Sequence, residues 1–145
     1  MKRALLSLFT LITIVSLLFP IKVQASCEDD VVQYMNAARL QAGLDEVSLD
    51  SSLTELAMIR AKECSVSFSH IRPDGEAWSS VSVITNGENL ARARNEEQSK
   101  PENVVLAWLL SPSHKVNVMR QSCTGVGVAY YRAEDGITYI VCEFN

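Results

Sequence analysis

Two neighbouring strand patterns at the end of the chain constrain the fold more than any other feature. Residues 126–131 and 137–141 are rich in Val, Ile and Tyr, and an acidic, glycine-containing turn at 134–136 separates them. The earlier part of the chain carries helical spacing or helix-start signals at residues 28–42, 52–64, 101–109 and 112–119. Helices first and a hairpin last, without regular alternation of strand and helix, predict an α+β fold with an antiparallel sheet.

The N-terminal segment has the layout of a secretory signal peptide. A basic start, Met1-Lys2-Arg3, precedes 17 residues without charge at 4–20, and the small residues Val23 and Ala25 provide a cleavage site. We predict a signal peptide at residues 1–25 and a single domain at residues 26–145. An uncleaved anchor is the alternative, although 17 residues are at the short limit for crossing a bilayer.

The net charge of the chain disfavours polyanionic partners. The 145 residues contain 13 Lys and Arg against 17 Asp and Glu, which gives a formal charge of −4. The predicted signal peptide contains three bases and no acid, so the remaining 120 residues have a charge of −7. This acidity disfavours nucleic acids and anionic membranes as partners. We expect a secreted, extracellular monomer with no membrane span after cleavage.

All four cysteines lie beyond the predicted signal peptide. An even number in a secreted chain predicts two disulfides, and three pairings are possible. If the first two helices form an antiparallel hairpin, Cys27 and Cys64 meet, while Cys123 and Cys142 flank the predicted β-hairpin. We therefore favour the pairs Cys27–Cys64 and Cys123–Cys142. A zinc site made of all four is disfavoured because the chain has no Cys-x-x-Cys pair.

The residues that could carry chemistry are few. His70 and His114 are the two histidines, and Glu88 follows an Asn-Gly turn. Two histidines and a carboxylate can form a divalent-metal site or an acid/base pair, but unrelated surface positions are the alternative. Gly125 and Gly127 are not followed by a helix, so they indicate close backbone approach in a strand, not a dinucleotide site.

The chain contains a series of short motifs whose order along the sequence resembles that of one protein family. This family is the CAP superfamily of cysteine-rich secretory, antigen 5 and pathogenesis-related proteins, and the similarity is greatest to its small bacterial SCP-type members. The resemblance covers residues 30–144. In chain order the motifs are Asn36-x-x-Arg39 with Gly43-Leu44, Leu53-x-x-x-Ala57, Arg60-Ala61, Phe68-Ser69-His70-x-Arg72-Pro73-Asp74-Gly75, Gly87-Glu88-Asn89-Leu90-Ala91, Val104-Val105-x-x-Trp108, Ser111-Pro112-Ser113-His114-x-x-Asn117-x-Met119 and Gly125-Val126-Gly127.

The resemblance implies a three-layer α-β-α sandwich with a central antiparallel sheet and an open cleft that holds two histidines and acidic residues. By motif these are His70, His114 and Glu88. The second glutamate of many eukaryotic relatives falls on Ser111, so the sequence lacks the complete His/Glu tetrad.

Three functions are compatible with this resemblance, because a fold alone does not fix an activity. The leading hypothesis is a secreted, non-enzymatic binding module whose cleft takes a small ligand or a divalent cation such as zinc through His70 and His114, with Glu88 as a third group. The first alternative is a metal-dependent or His/Glu hydrolase in which Glu88 is the general base. The second is an envelope module that binds an extracellular protein and has a vestigial cleft.

Overall fold

A computed structural model describes residues 26–145, and the predicted signal peptide at residues 1–25 lies outside them. Within the described residues the chain forms five α-helices, one 3-10 turn and four strands. The helices are α1 (Cys27–Gln41), α2 (Ser51–Val66), α3 (Glu96–Ser99), α4 (Pro101–Leu110) and α5 (Pro112–Val118). The 3-10 turn is Trp78–Val81, and the strands are β1 (Ser48–Leu49), β2 (Gly87–Ala93), β3 (Gly125–Arg132) and β4 (Thr138–Phe144).

Four of the helices begin at a residue that either accepts a hydrogen bond from a free backbone amide or, as proline, has no amide N–H to pair. Ser26 and Asp29 form a capping box at the start of α1, and the Asp50 side chain accepts from the amide of Leu53 in α2. Pro101 and Pro112 are the first residues of α4 and α5, where the missing N–H has no intrahelical partner to lose. None of the described helices is both long and apolar enough to cross a bilayer.

The sheet has the order β1-β3-β4-β2, so the two C-terminal strands occupy its centre. Both long neighbours of β4 run antiparallel to it, which confirms the predicted α+β class and antiparallel sheet. One pairing departs from the prediction, because the two residues of β1 pair with β3 in parallel.

The helices cover both faces of the sheet and confirm the three-layer sandwich. On one face, α1, α4 and α5 pack around Trp108, Met35 and Phe144, each about 1% exposed or less. On the other face, α2 packs through Ala57, Ala61 and Cys64. With apolar cover on both sides, the central strands are buried almost continuously.

Gly127 allows α2 to lie directly on the sheet. A Cβ at this position would stand 1.9 Å from the carbonyl carbon of Leu53, which no packed structure tolerates. The prediction that Gly127 marks close backbone approach is therefore confirmed.

The predicted disulfides are wrong in this structure, where Cys27, Cys64, Cys123 and Cys142 are all unpaired thiols. The helices α1 and α2 do not form a hairpin. They cover opposite faces of the sheet, so Cys27 and Cys64 are separated by it. Cys123 and Cys142 lie in the same core cluster, but Cys142 is opposite Val128 in the sheet, Cys123 precedes β3, and the two thiols are not bonded.

Candidate functional site

An open cleft of about 390 Å³ lies where the start of β2 meets α5 and the segment between α2 and the 3-10 turn. His70, Glu88 and His114, the three residues predicted from the sequence, all line it. They come from three separate parts of the chain, and the sheet brings them together. Trp78 and Asn117 complete much of the remaining wall.

Glu88 is the most firmly held side chain of the cleft. It lies on β2 and its carboxylate is completely shielded from solvent. Arg60 Nε donates to Oε2 at 2.6 Å, while Arg60 Nη2 at 3.3 Å and His70 Nδ1 at 2.8 Å contact Oε1. Burial raises the pKa of Glu88, but the bonds from His70 and Arg60 outweigh it and hold that pKa below its usual range. Glu88 is therefore a buried anion with both oxygens engaged.

His70 is oriented by this anion. Because a carboxylate only accepts, the 2.8 Å contact requires Nδ1 of His70 to carry the proton. The neutral ring then presents Nε2 as its acceptor, and half of the side chain is exposed. The main chain is fixed as well, since the His70 carbonyl accepts from the Trp78 amide at 2.8 Å.

His114 is placed by the attachment of α5 to β2. Asn89 donates to the His114 carbonyl at 3.1 Å, and Asn117 donates to the Glu88 carbonyl at 3.2 Å and to Asn89 Oδ1 at 2.9 Å. Gly87 permits this approach, because a Cβ there would lie 2.7 Å from Asn117 Oδ1. Burial and the nearby His70 lower the pKa of His114, which favours the neutral imidazole.

A second buried carboxyl group stands behind the cleft. Glu143 on β4 lies opposite Glu88 on β2, and its side chain is fully buried. Thr85 donates a short hydrogen bond to Oε2, whereas Oε1 has no donor among the described residues. Burial, together with the nearby charge of Glu88, raises the pKa of Glu143 to about 8. The protonated form of Glu143 is therefore favoured at neutral pH.

Arg60 and Glu143 were not found by sequence reasoning. Arg60 lies in α2, fully buried, and links Glu88 to Glu63, which in turn bonds Arg72 at 2.6 Å. Arg60 belongs to one of the family-like motifs, but an arginine within a helix does not by itself indicate a role in the cleft. Glu143 did leave one signal, because an acid in a strand that is otherwise apolar on both sides is unusual.

The residues of the cleft fit a lightly held metal ion, but not a closed metal centre. Glu88 is used by Arg60 and His70, which leaves two imidazoles facing the cavity. Between residues 26 and 145, no group of three or more His, Cys, Asp or Glu side chains is arranged to hold a metal. A structural zinc site normally takes four protein ligands. His70 and His114 could provide two ligands, with water completing the coordination.

The fold and the cleft together define an α-β-α sandwich with two histidines and a buried glutamate at one end of its sheet. The model of the cysteine-rich secretory protein (CAP) family matches residues 32–144. The chain belongs to this family. It is 32% identical over 111 residues to YkwD of Bacillus subtilis, a match that covers 71% of this chain and 42% of YkwD. The chain thus spans less than half the length of that relative.

Solved structures share the fold at low sequence identity. An extracellular protein containing a SCP domain from Bacillus anthracis has a TM-score of 0.64 and 18% identity, over 82% of this chain and 40% of that one. NaASP2, crystallised with Zn²⁺, has a TM-score of 0.65 and 15% identity, over 87% of this chain and 83% of that one. At these identities the likeness establishes the fold alone.

Proposed function

We propose that this chain is a secreted, non-enzymatic binding module whose cleft takes a small ligand or a divalent cation between His70 and His114. One observation carries the proposal: both oxygens of Glu88 are already engaged, by Arg60 and His70. Glu88 therefore acts as the group that orients His70. Carboxylates that orient ligating histidines in this way are common in metal sites.

The same observation argues against the hydrolase alternative. A general base must be able to take a proton from water at the working pH. Glu88 is completely buried, accepts three hydrogen bonds from Arg60 and His70, and has a pKa held below its usual range. It is a poor base in this environment.

Zinc is the natural first probe. Two neutral imidazoles are suitable zinc ligands, and a structural neighbour, NaASP2, was crystallised with Zn²⁺. An exported location is supported by the signal-like N-terminal sequence and by the extracellular neighbour from Bacillus anthracis. With only two protein ligands, the affinity should be modest.

Titration calorimetry with zinc tests the proposal. His70→Ala and His114→Ala should each weaken binding at least about tenfold, and Glu88→Gln about tenfold through the lost orientation of His70. Lys115→Ala is the matched control, since Lys115 lies next to His114 on α5 but does not line the cleft. Equal zinc affinity in all five proteins would refute the cleft as the metal site. Ester or peptide turnover that disappears in Glu88→Gln would favour the hydrolase instead.

A further inference from the structure

A second cavity, which shares no lining residue with the histidine cleft, lies on the outer edge of the sheet. It has a volume of about 390 Å³ and is bounded by β2, α3 and α4. Its lining combines small apolar side chains with polar ones: Ala91, Val104 and Ala107 on one hand, and Arg92, Arg94, Gln98 and Asn103 on the other. We refer to it as the edge pocket.

The edge pocket coincides with a gap in the hydrogen bonding of β2. β2 is an edge strand of the sheet. The main-chain N–H and C=O groups of every second residue in it therefore point away from β4. Asn117 donates to the Glu88 carbonyl and Trp108 Nε1 to the Leu90 carbonyl, so these residues point outward and are covered. Further along, the Arg94 amide donates to Gln98 Oε1 at 2.8 Å. Arg92 lies between the covered positions, and among residues 26–145 nothing pairs with its main chain on this side.

The chemistry around the gap selects a type of ligand. Arg92 is exposed, and its outward amide and carbonyl can pair with a group that both accepts and donates, as a peptide main chain does. The Arg92 guanidinium lies 4.9 Å from the Phe68 ring and is thereby occupied. Arg94 has no acidic partner within ion-pair distance among the described residues, although the chain has more acids than bases. It is free to bind a carboxylate as a fork.

We propose that the edge pocket binds a short, extended acidic peptide, which pairs with the Arg92 main chain as an added strand and places a carboxylate on Arg94. Addition of a strand to an open sheet edge is a known mode of peptide recognition. The small side chains of Ala91, Val104 and Ala107 leave room for such a chain. Because Arg92 alone offers free main-chain groups at the described part of this edge, the pairing is short and the affinity is modest.

The test uses NMR titration of the purified protein with acetylated, amidated Ala-Ala-Glu-Ala-Ala. Arg94→Ala, or a Gln in place of the Glu of the peptide, should weaken binding at least about tenfold. Arg92→Pro should do the same because it removes the outward N–H, a change that edge strands tolerate. Arg92→Ala keeps that N–H and is its matched control, expected to bind like the wild type. Thermal unfolding of each variant confirms that the fold is retained.

Several outcomes would overturn the proposal. They are no binding by the wild type, equal binding of the Glu and Gln peptides, or full binding by a folded Arg92→Pro variant. Glutarate bound as tightly as the peptide would also overturn it, because a free dicarboxylate does not pair with a strand edge. His114→Ala should leave peptide binding unchanged, so this result is separate from that of the zinc experiment. If Arg92→Pro does not fold, a peptide N-methylated at every amide provides the same test.

Discussion

Glu88 on β2 is paired in register with Glu143 on the neighbouring strand β4, and both carboxyl groups are fully buried. Arg60 neutralises Glu88, while among residues 26–145 Glu143 has only the Thr85 hydroxyl as a donor. Two buried carboxylates side by side with one cation are unfavourable, so the pair retains one proton. Several properties of the protein depend on that proton.

The stability of the protein should fall as pH rises from about 4.5 to about 8. Glu143 has a folded pKa of about 8 against an ordinary value of 4.5, so the folded state keeps a proton that the unfolded state releases in this range. The free energy of unfolding therefore decreases with pH across this range. Glu143→Gln mimics the protonated acid and should remove this slope while leaving stability at pH 5 nearly unchanged. Urea unfolding at several pH values measures it, and an unaltered slope in the variant would contradict the assignment.

Replacement of Arg60 should be among the most damaging single changes. Arg60→Met leaves the buried Glu88 without its main cation, and unpaired buried charges of this kind typically cost about 3–5 kcal/mol. Arg132→Met is the control, since Arg132 is an exposed arginine at the end of β3. Denaturant titration of both variants tests the contrast. A loss below about 1 kcal/mol in Arg60→Met would show that Glu88 is neutralised in another way.

Gly127→Ala should destabilise the protein by more than about 3 kcal/mol, because the added methyl group meets the α2 backbone at Leu53. Gly125 lies two residues earlier on the same face of β3, and a Cβ there would lie 3.2 Å from the Asn145 side chain, which can move. Gly125→Ala should therefore cost under about 1 kcal/mol. The melting temperatures of the two variants compare them directly, and equal losses would argue against the close approach.

The four thiols should differ in reactivity. Cys27 is exposed, whereas burial raises the pKa of Cys64 to about 11 and that of Cys142 well above its ordinary value. A maleimide reagent should label Cys27 alone in the folded protein and all four cysteines after unfolding without a reductant. Mass spectrometry counts the labels. Recovery of a linked Cys27–Cys64 or Cys123–Cys142 peptide would restore the disulfide prediction.

Sequence patterns were sufficient to predict a helix or strand where the periodicity of apolar residues agreed with a helix-start or turn signal. The strands β3 and β4 were predicted within a few residues, and so were the starts of α4 at Pro101 and α5 at Pro112. The strand β2 was missed. Its Asn86-Gly87 start looks like a turn, and its polar residues Glu88 and Asn89 hide a strand that is buried between two helical layers. Its polar residues serve the cleft, so the pattern of a buried strand is broken where the candidate site lies.

The site was predicted only in part for a related reason. His70, Glu88 and His114 were placed together by their resemblance to family motifs, since no spacing in the sequence implies their proximity. The cysteine pairing failed because it assumed that consecutive helices lie side by side. In the structure α1 and α2 are separated by a sheet whose centre comes from the C-terminal residues.

The strand order also determines when the chain can fold. The helices α1 and α2 need β3 and β4 between them, and these two strands are the last elements in the sequence. A chain that emerges from the ribosome N-terminus first therefore has no central sheet until residues 125–144 have appeared. Its long-range pairings make folding slow by comparison with a helical bundle. Residues 26–124 alone lack the strands on which α1 and α2 pack, so the core can close only after β3 and β4 have been added.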